Sequence, residues 1–100
     1  MTVPGFELSE AARRDIANLR LYTRANWGVA KEEEYVADLF ARLTGLVEAP
    51  LLGRARPELG ERIRSLLSDR HLILYRPKLD SGVSILRVMH HSQQLPGDLG

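Results

Sequence analysis

Three features of this 100-residue sequence predict an α+β domain, a two-helix hairpin packed on one face of a small twisted antiparallel sheet. Residues 61–91 contain three β-like runs separated by two turn signals. Residues 10–26 and 29–47 each carry an apolar stripe at helical spacing and meet at Gly28. Phe6-Glu7-Leu8, ahead of the first stripe, is long enough for one edge strand.

Each element has its own chemistry. Ser9 is a good N-cap, Glu10 suits the positive end of the helix dipole, and Leu8 is placed to staple onto the first turn. Ala12, Ile16, Leu19 and Thr23 then share a face, with Arg13, Arg14, Asp15, Asn18 and Arg20 on the others. Trp27-Gly28 ends this helix, Gly28 as a left-handed C-cap. In the second helix Val29, Glu32, Val36, Leu39, Phe40, Leu43 and Val47 form a stripe interrupted only by Glu32, and Pro50 closes it. The Gly and Pro content of residues 51–60 predicts a loop. Ile63 to Leu67 is the first run of the meander, ending at Ser68-Asp69. His71 to Tyr75 is apolar on both parities, which marks a central strand covered on both faces, and Pro77 stops it. Asp80-Ser81-Gly82 supplies a turn, and the β-branched run Val83 to Met89 follows. The polar tail 92–100 predicts no regular element, so residues 1–100 read as one domain.

Composition narrows the class. There is no cysteine, no apolar run near the roughly 18 residues of a membrane span, and no signal-peptide pattern, so a cytoplasmic protein is expected. Residues 1–50 carry net −2 and residues 51–100 net +3, the second half using arginine almost exclusively. Arginine forks suit carboxylates and phosphates, so an acidic partner or a nucleic acid fits; scattered arginines on a solvated sheet face fit equally.

Phosphate loops, HExxH, GxSxG and acidic calcium loops are all missing, and neither metal nor cofactor is expected. His90-His91 closes the last run; strand neighbours point to opposite faces, so the pair is ill suited to one metal, though one ring could serve as a general acid or base. Arg62, Arg64, Arg76 and Arg87 fall on the sheet, Arg62 and Arg64 on one face, with Arg64 and Arg87 able to meet if the register allows. Tyr22, Trp27 and Tyr35 surround the inter-helix turn, where aromatic packing outweighs ligand stacking as the expectation. Tyr75 is expected in the core with its hydroxyl satisfied at a rim.

Taken together, the segments resemble the ParE branch of the RelE/ParE superfamily, toxins of bacterial type II toxin–antitoxin pairs. The resemblance rests on LSEAARRDI at Leu8–Ile16, Tyr22, Asn26–Gly28, Tyr35–Leu43, Pro50, Gly53-Arg54 and Glu58-Leu59. It continues through Ile63–Leu66, His71–Arg76 and Ile85–His90, and so covers most of the chain. It implies a helical hairpin against an antiparallel sheet, no catalytic activity, DNA gyrase as target, growth arrest, and neutralisation by a ParD-like antitoxin whose C-terminal segment wraps the toxin in a hetero-oligomer. No membrane and no direct sequence-specific nucleic-acid contact are implied. Partner contact falls to Arg54, Arg62, Arg64, Arg76, Arg87, His90 and Trp27.

The family's short Met-Asp-containing segment after the last-strand histidine is replaced here by His91-Ser92-Gln93-Gln94. His91-Ser92 with Leu95 is loosely similar to the ending of RelE-branch ribosome-dependent mRNA endonucleases. That alternative gives Arg64, Arg87 and Tyr75 to the phosphate and His91 to general acid catalysis, but a net charge of +1 lacks the basic surface expected of a ribosome-docking protein. A third reading is a toxin fold that only binds its antitoxin.

Overall fold

The computed structural model describes residues 5–90. Its elements are β1 (Phe6–Leu8), α1 (Glu10–Trp27), α2 (Val29–Glu48), β2 (Arg54–Ala55), β3 (Arg64–Ser68), β4 (His71–Pro77) and β5 (Val83–His90). The sheet order is β1-β5-β4-β3-β2, which places β4 at the centre as its two apolar faces demanded. Among the described residues, no helix is long and apolar enough to cross a membrane.

The helices form as their patterns predict. Ser9 Oγ accepts the Ala12 N–H at 3.0 Å, capping α1, and Ala12, Ile16, Leu19 and Thr23 are all buried. Gly28 takes φ 93° and ψ 171°, positive in φ as expected but extended in ψ rather than left-handed helical. One residue thereby ends α1 and begins α2: its N–H donates to Arg24 O at 2.9 Å, and its carbonyl accepts from Glu32 N at 3.1 Å. On α2 the buried residues are Glu32, Leu39, Leu43 and Leu46, so Val29 lies outside the buried face and Leu46 inside it. Glu32 interrupts the stripe because Arg20 and Arg24 of α1 meet it at 2.8 and 2.6 Å. Its carboxylate, 2% exposed, is held below its ordinary pKa by the Arg24 and Arg20 hydrogen bonds.

These helices pack their apolar faces onto Ile73, Tyr75, Val83, Ile85 and Val88. On the other side of the sheet, Leu59 and Ile63 of the 56–63 loop cover Leu74 and Met89. Both faces of β4 are therefore dry, which explains its unbroken apolar run.

The sheet departs from expectation in three places. It is mixed, because β1 lies parallel to β5, with Phe6, Glu7 and Leu8 opposite Val83, Ser84 and Ile85. The chain crosses both helices and three strands before returning, the kind of long connection that parallel pairing requires. The 51–60 loop contains the short strand β2, which covers only Arg64 and Ser65 of β3. Leu66–Ser68 therefore have no strand on their outer side among the described residues, and Leu67 is 57% exposed. Finally, Arg62 has φ 61° and precedes the strand, so Arg62 and Arg64 do not share a strand face.

Ser9, which caps α1, and Asp15 within it continue the β1 edge. Beyond Ile85, the Ser9 N–H donates to Ile85 O at 3.0 Å and its hydroxyl to Leu86 O at 2.8 Å. The Val88 N–H donates to Asp15 Oδ2 at 3.0 Å. A bulge lies alongside: Leu74 pairs with Arg87 and Tyr75 with Ile85, leaving Leu86 as the extra residue. At the β4–β5 turn Gly82 adopts φ 84°, and a Cβ there would lie 2.1 Å from Gly5 O. Only glycine lets the incoming β1 approach so closely.

Candidate functional site

The arginines of the second half divide by what they hold. Arg56 forms an ion pair with Glu58 at 2.8 Å, which keeps that carboxyl below its usual range. Arg62 donates to Pro77 O at 2.7 Å, Arg64 to Gly53 O at 2.7 Å, and Arg76 to Glu61 O at 3.0 Å. Arg54 is exposed on β2. Among the described residues, Arg54, Arg62, Arg64 and Arg76 form no ion pair, although the Arg54 charge, after that of Arg56, helps hold the Glu58 carboxyl low. Arg54 and Arg64 lie on the paired strands β2 and β3, whereas Arg76 lies on the central strand β4 and Arg62 precedes β3.

The groups assigned to a phosphate do not converge. Arg64 stands opposite Tyr75 on one side of β4. Arg87, across β4, is drawn to α1, where Nε and a terminal nitrogen donate to Asp15 at 2.7 and 3.0 Å. That carboxylate raises the Arg87 pKa further. Tyr75 is wholly buried in the core, as its pattern predicted. The Gly53 N–H donates to its hydroxyl at 2.8 Å, and the hydroxyl donates to Pro50 O at 2.8 Å. Burial pushes its pKa up, opposed by the Gly53 bond and the Arg64 charge. His91 and the tail 92–100 lie outside the described residues.

Tyr75 and Arg64 together fix the 50–53 loop, since Arg64 also reaches Leu51 O at 3.4 Å. Leu51 and Leu52 on that loop are 68% and 59% exposed. No periodicity marks two leucines between Pro50 and Gly53 as surface residues, and the sequence reading passed over them.

A cleft of about 780 Å³ opens at the other end of the hairpin, between α1, the start of α2 and the ends of β4 and β5. Tyr22, Trp27, Lys31, Tyr35, His71 and His90 are among its walls. Trp27 and Tyr22 touch edge to face, 5.8 Å between centroids, yet are 58% and 60% exposed. Trp27 thus packs on Tyr22 while leaving more than half of its own surface exposed at the hairpin tip. The Tyr35 hydroxyl is hydrogen-bonded to His71 Nδ1, and the His71 ring meets that of His90 edge to face at 5.6 Å. Burial, with the nearby Asp69 charge, pushes the Tyr35 pKa to about 12. His71 was not singled out in the sequence; the register, which sets it opposite His90, is what brings the two rings together. Among the described residues, no three His, Cys, Asp or Glu side chains are grouped to hold a metal ion.

Comparison with known proteins bears on the family and the fold. Residues 6–95 match the model of the ParE toxin of the type II toxin–antitoxin system parDE. The chain is similar to Toxin ParE1 of Caulobacter vibrioides, 30% identical and covering 95% of this chain and 97% of that one. Toxin ParE1 of Mycobacterium tuberculosis is 27% identical, covering 92% and 94%. Among solved structures, the chromosomal ParDE toxin–antitoxin system of P. aeruginosa superposes with a TM-score of 0.72. At 19% identity over 87% of this chain and 95% of that one, it speaks for the fold alone. The toxin–antitoxin complex RelBE2 of Mycobacterium tuberculosis reaches a TM-score of 0.60 at 28% identity, over 88% and 99%. A family match spanning residues 6–95, on a hairpin-and-sheet fold that its relatives share, means that this chain belongs to the ParE toxin family of type II toxin–antitoxin systems.

Proposed function

We propose that this chain arrests growth by binding and poisoning DNA gyrase, without catalysis of its own, and that a cognate antitoxin holds it inactive. The observation that carries the non-catalytic reading is the engagement of Arg64, Tyr75 and Arg87 in the fold itself. A buried hydroxyl with both bonds taken is poorly placed to touch a scissile phosphate. The antitoxin is supported by the structural neighbours, a ParDE system and a RelBE2 toxin–antitoxin complex. Gyrase as target is supported by the family resemblance over most of the chain.

The RelBE2 likeness favours a second reading, a ribosome-dependent mRNA endonuclease acting through His91. Inducing the chain alone and following growth, DNA topology and mRNA integrity separates the two. Gyrase-linked DNA breaks with intact mRNA support poisoning, and codon-phased mRNA cuts with normal DNA sink it. Absence of arrest leaves a protein that only binds its antitoxin. His91→Ala should stay toxic under the first reading and lose activity about 10²–10⁴-fold under the second.

A further inference from the structure

Two exposed apolar patches lie at opposite ends of the 20-residue helix α2, about 30 Å apart. One is the hairpin tip with Leu21, Tyr22, Trp27 and Val29; the other is the dileucine loop, Leu51 and Leu52. Their settings differ. The hairpin tip adjoins the first turns of α2, where Glu33 and Glu34 outnumber Lys31. The dileucine loop runs into the edge strand that begins at Arg54 and is bonded to Arg64 on the next strand, and neither arginine forms an ion pair among the described residues.

Exposed leucines on a mobile loop would mean little. These are held: the Gly53 N–H and Pro50 carbonyl are bonded to the Tyr75 hydroxyl, and the Leu51 and Gly53 carbonyls to Arg64. The loop is thereby ordered before any partner arrives, which removes one of the entropy costs of association. Apolar area fixed in place beside the guanidinium groups of Arg54 and Arg64 has a natural complement among polypeptides, a segment that offers an apolar surface flanked by carboxylates.

We propose that the Leu51–Leu52 loop, with the exposed Arg54 beside it, is the docking point for an acidic apolar segment of the antitoxin. This rests on the reading above that an antitoxin is the chain's partner. The leucines supply contact area and slow dissociation, while Arg54 and its neighbours accelerate encounter. Loss of the leucines should therefore raise the dissociation rate, and loss of the charge should lower the association rate and its salt dependence.

The test uses the full chain and the protein encoded by the gene adjoining its own as the antitoxin probe, with binding followed by surface plasmon resonance. Both leucines are exposed, so Leu51→Ser/Leu52→Ser should keep its unfolding temperature. We expect about a 10²-fold loss of affinity, mainly in dissociation. Arg54→Glu should slow association several-fold at low salt and have little effect at high salt. Leu21→Ser at the hairpin tip serves as comparison and should bind like the parent chain. Equal binding by the parent and the Leu51/Leu52 variant would overturn the docking site while leaving the antitoxin reading intact. Loss in Leu21→Ser alone would move the site to the hairpin tip and overturn it too. Failure of the parent chain to bind would remove the antitoxin reading, and the docking site with it.

Discussion

Replacing Tyr75 with phenylalanine should destabilise this protein far more than the loss of one oxygen suggests. The hydroxyl is wholly buried and serves two backbone groups, accepting from the Gly53 N–H and donating to Pro50 O. Without it the buried Gly53 N–H has no acceptor, which costs about 1–3 kcal/mol. The Pro50 carbonyl sits nearer solvent, and losing its bond adds about 0.5–1 kcal/mol. The ring still fills its place, so no cavity term enters, and the total is about 2–4 kcal/mol. For a domain of this size each kcal/mol moves the melting temperature by about 4–8 °C, so a fall of about 8–32 °C is expected. Urea unfolding at constant m-value should give the same loss. Because Arg64 holds the same loop, a cycle of Tyr75→Phe and Arg64→Ala should show a coupling above about 0.5 kcal/mol. A melting temperature lowered by less than about 4 °C would refute the claim that this hydroxyl fixes the loop.

Further outcomes follow from other contacts. Asp15→Ala leaves the Val88 N–H and Arg87 without their acceptor, and thermal unfolding should report a loss of about 2 kcal/mol, between the values for exposed and buried pairs. Gly28→Ala meets no steric obstacle, yet it must hold φ 93°, so a loss of about 1–3 kcal/mol should come from backbone strain alone. Glu32 has a folded pKa below its ordinary 4.5, so the unfolded chain binds the extra proton, and stability falls as pH drops below that value. The urea midpoint from pH 6 to 3 should fall less steeply in Glu32→Gln, with a residual slope from Glu58 and Asp80, whose pKa values are also lowered. The Tyr35 phenol should ionise only near pH 12 in the folded protein, as read by phenolate absorbance, so its contribution to stability persists below pH 10 and fades as pH rises through 12.

The elements legible in the sequence were those with a local cause. The buried face of α1 was readable because Ala12, Ile16, Leu19 and Thr23 recur at helical spacing, and β4 because dryness on both faces removes polar alternation. What stayed hidden depends on distance along the chain. Asp15 and Arg87 are 72 residues apart, and nothing near either announces the other. The three residues of β1 carry no signal of orientation, so parallel pairing with β5 was invisible. Arg62 was misplaced because a single residue at positive φ shifts the start of β3 by one. Glu32 is an intermediate case: an acid in an apolar stripe, with Arg20 and Arg24 four apart on the preceding helix, is a legible hint of an interhelical pair.

The contacts of Ser9 and Asp15 with β5 bear on self-association. A sheet with two open margins can add a neighbour on each side, and repetition of that step builds a fibre. Here one margin ends in the three-residue β1, and the described remainder of β5 beside it is bonded to Ser9 and to Asp15 on α1. On the other margin, the outer side of the two-residue β2 and Leu66–Ser68 of β3 have no strand partner among the described residues. Neither margin offers a long run of unpaired strand for a second copy to extend. Strand addition between copies is therefore poorly templated on both sides, and the same helix that completes the core also blunts an edge of the sheet.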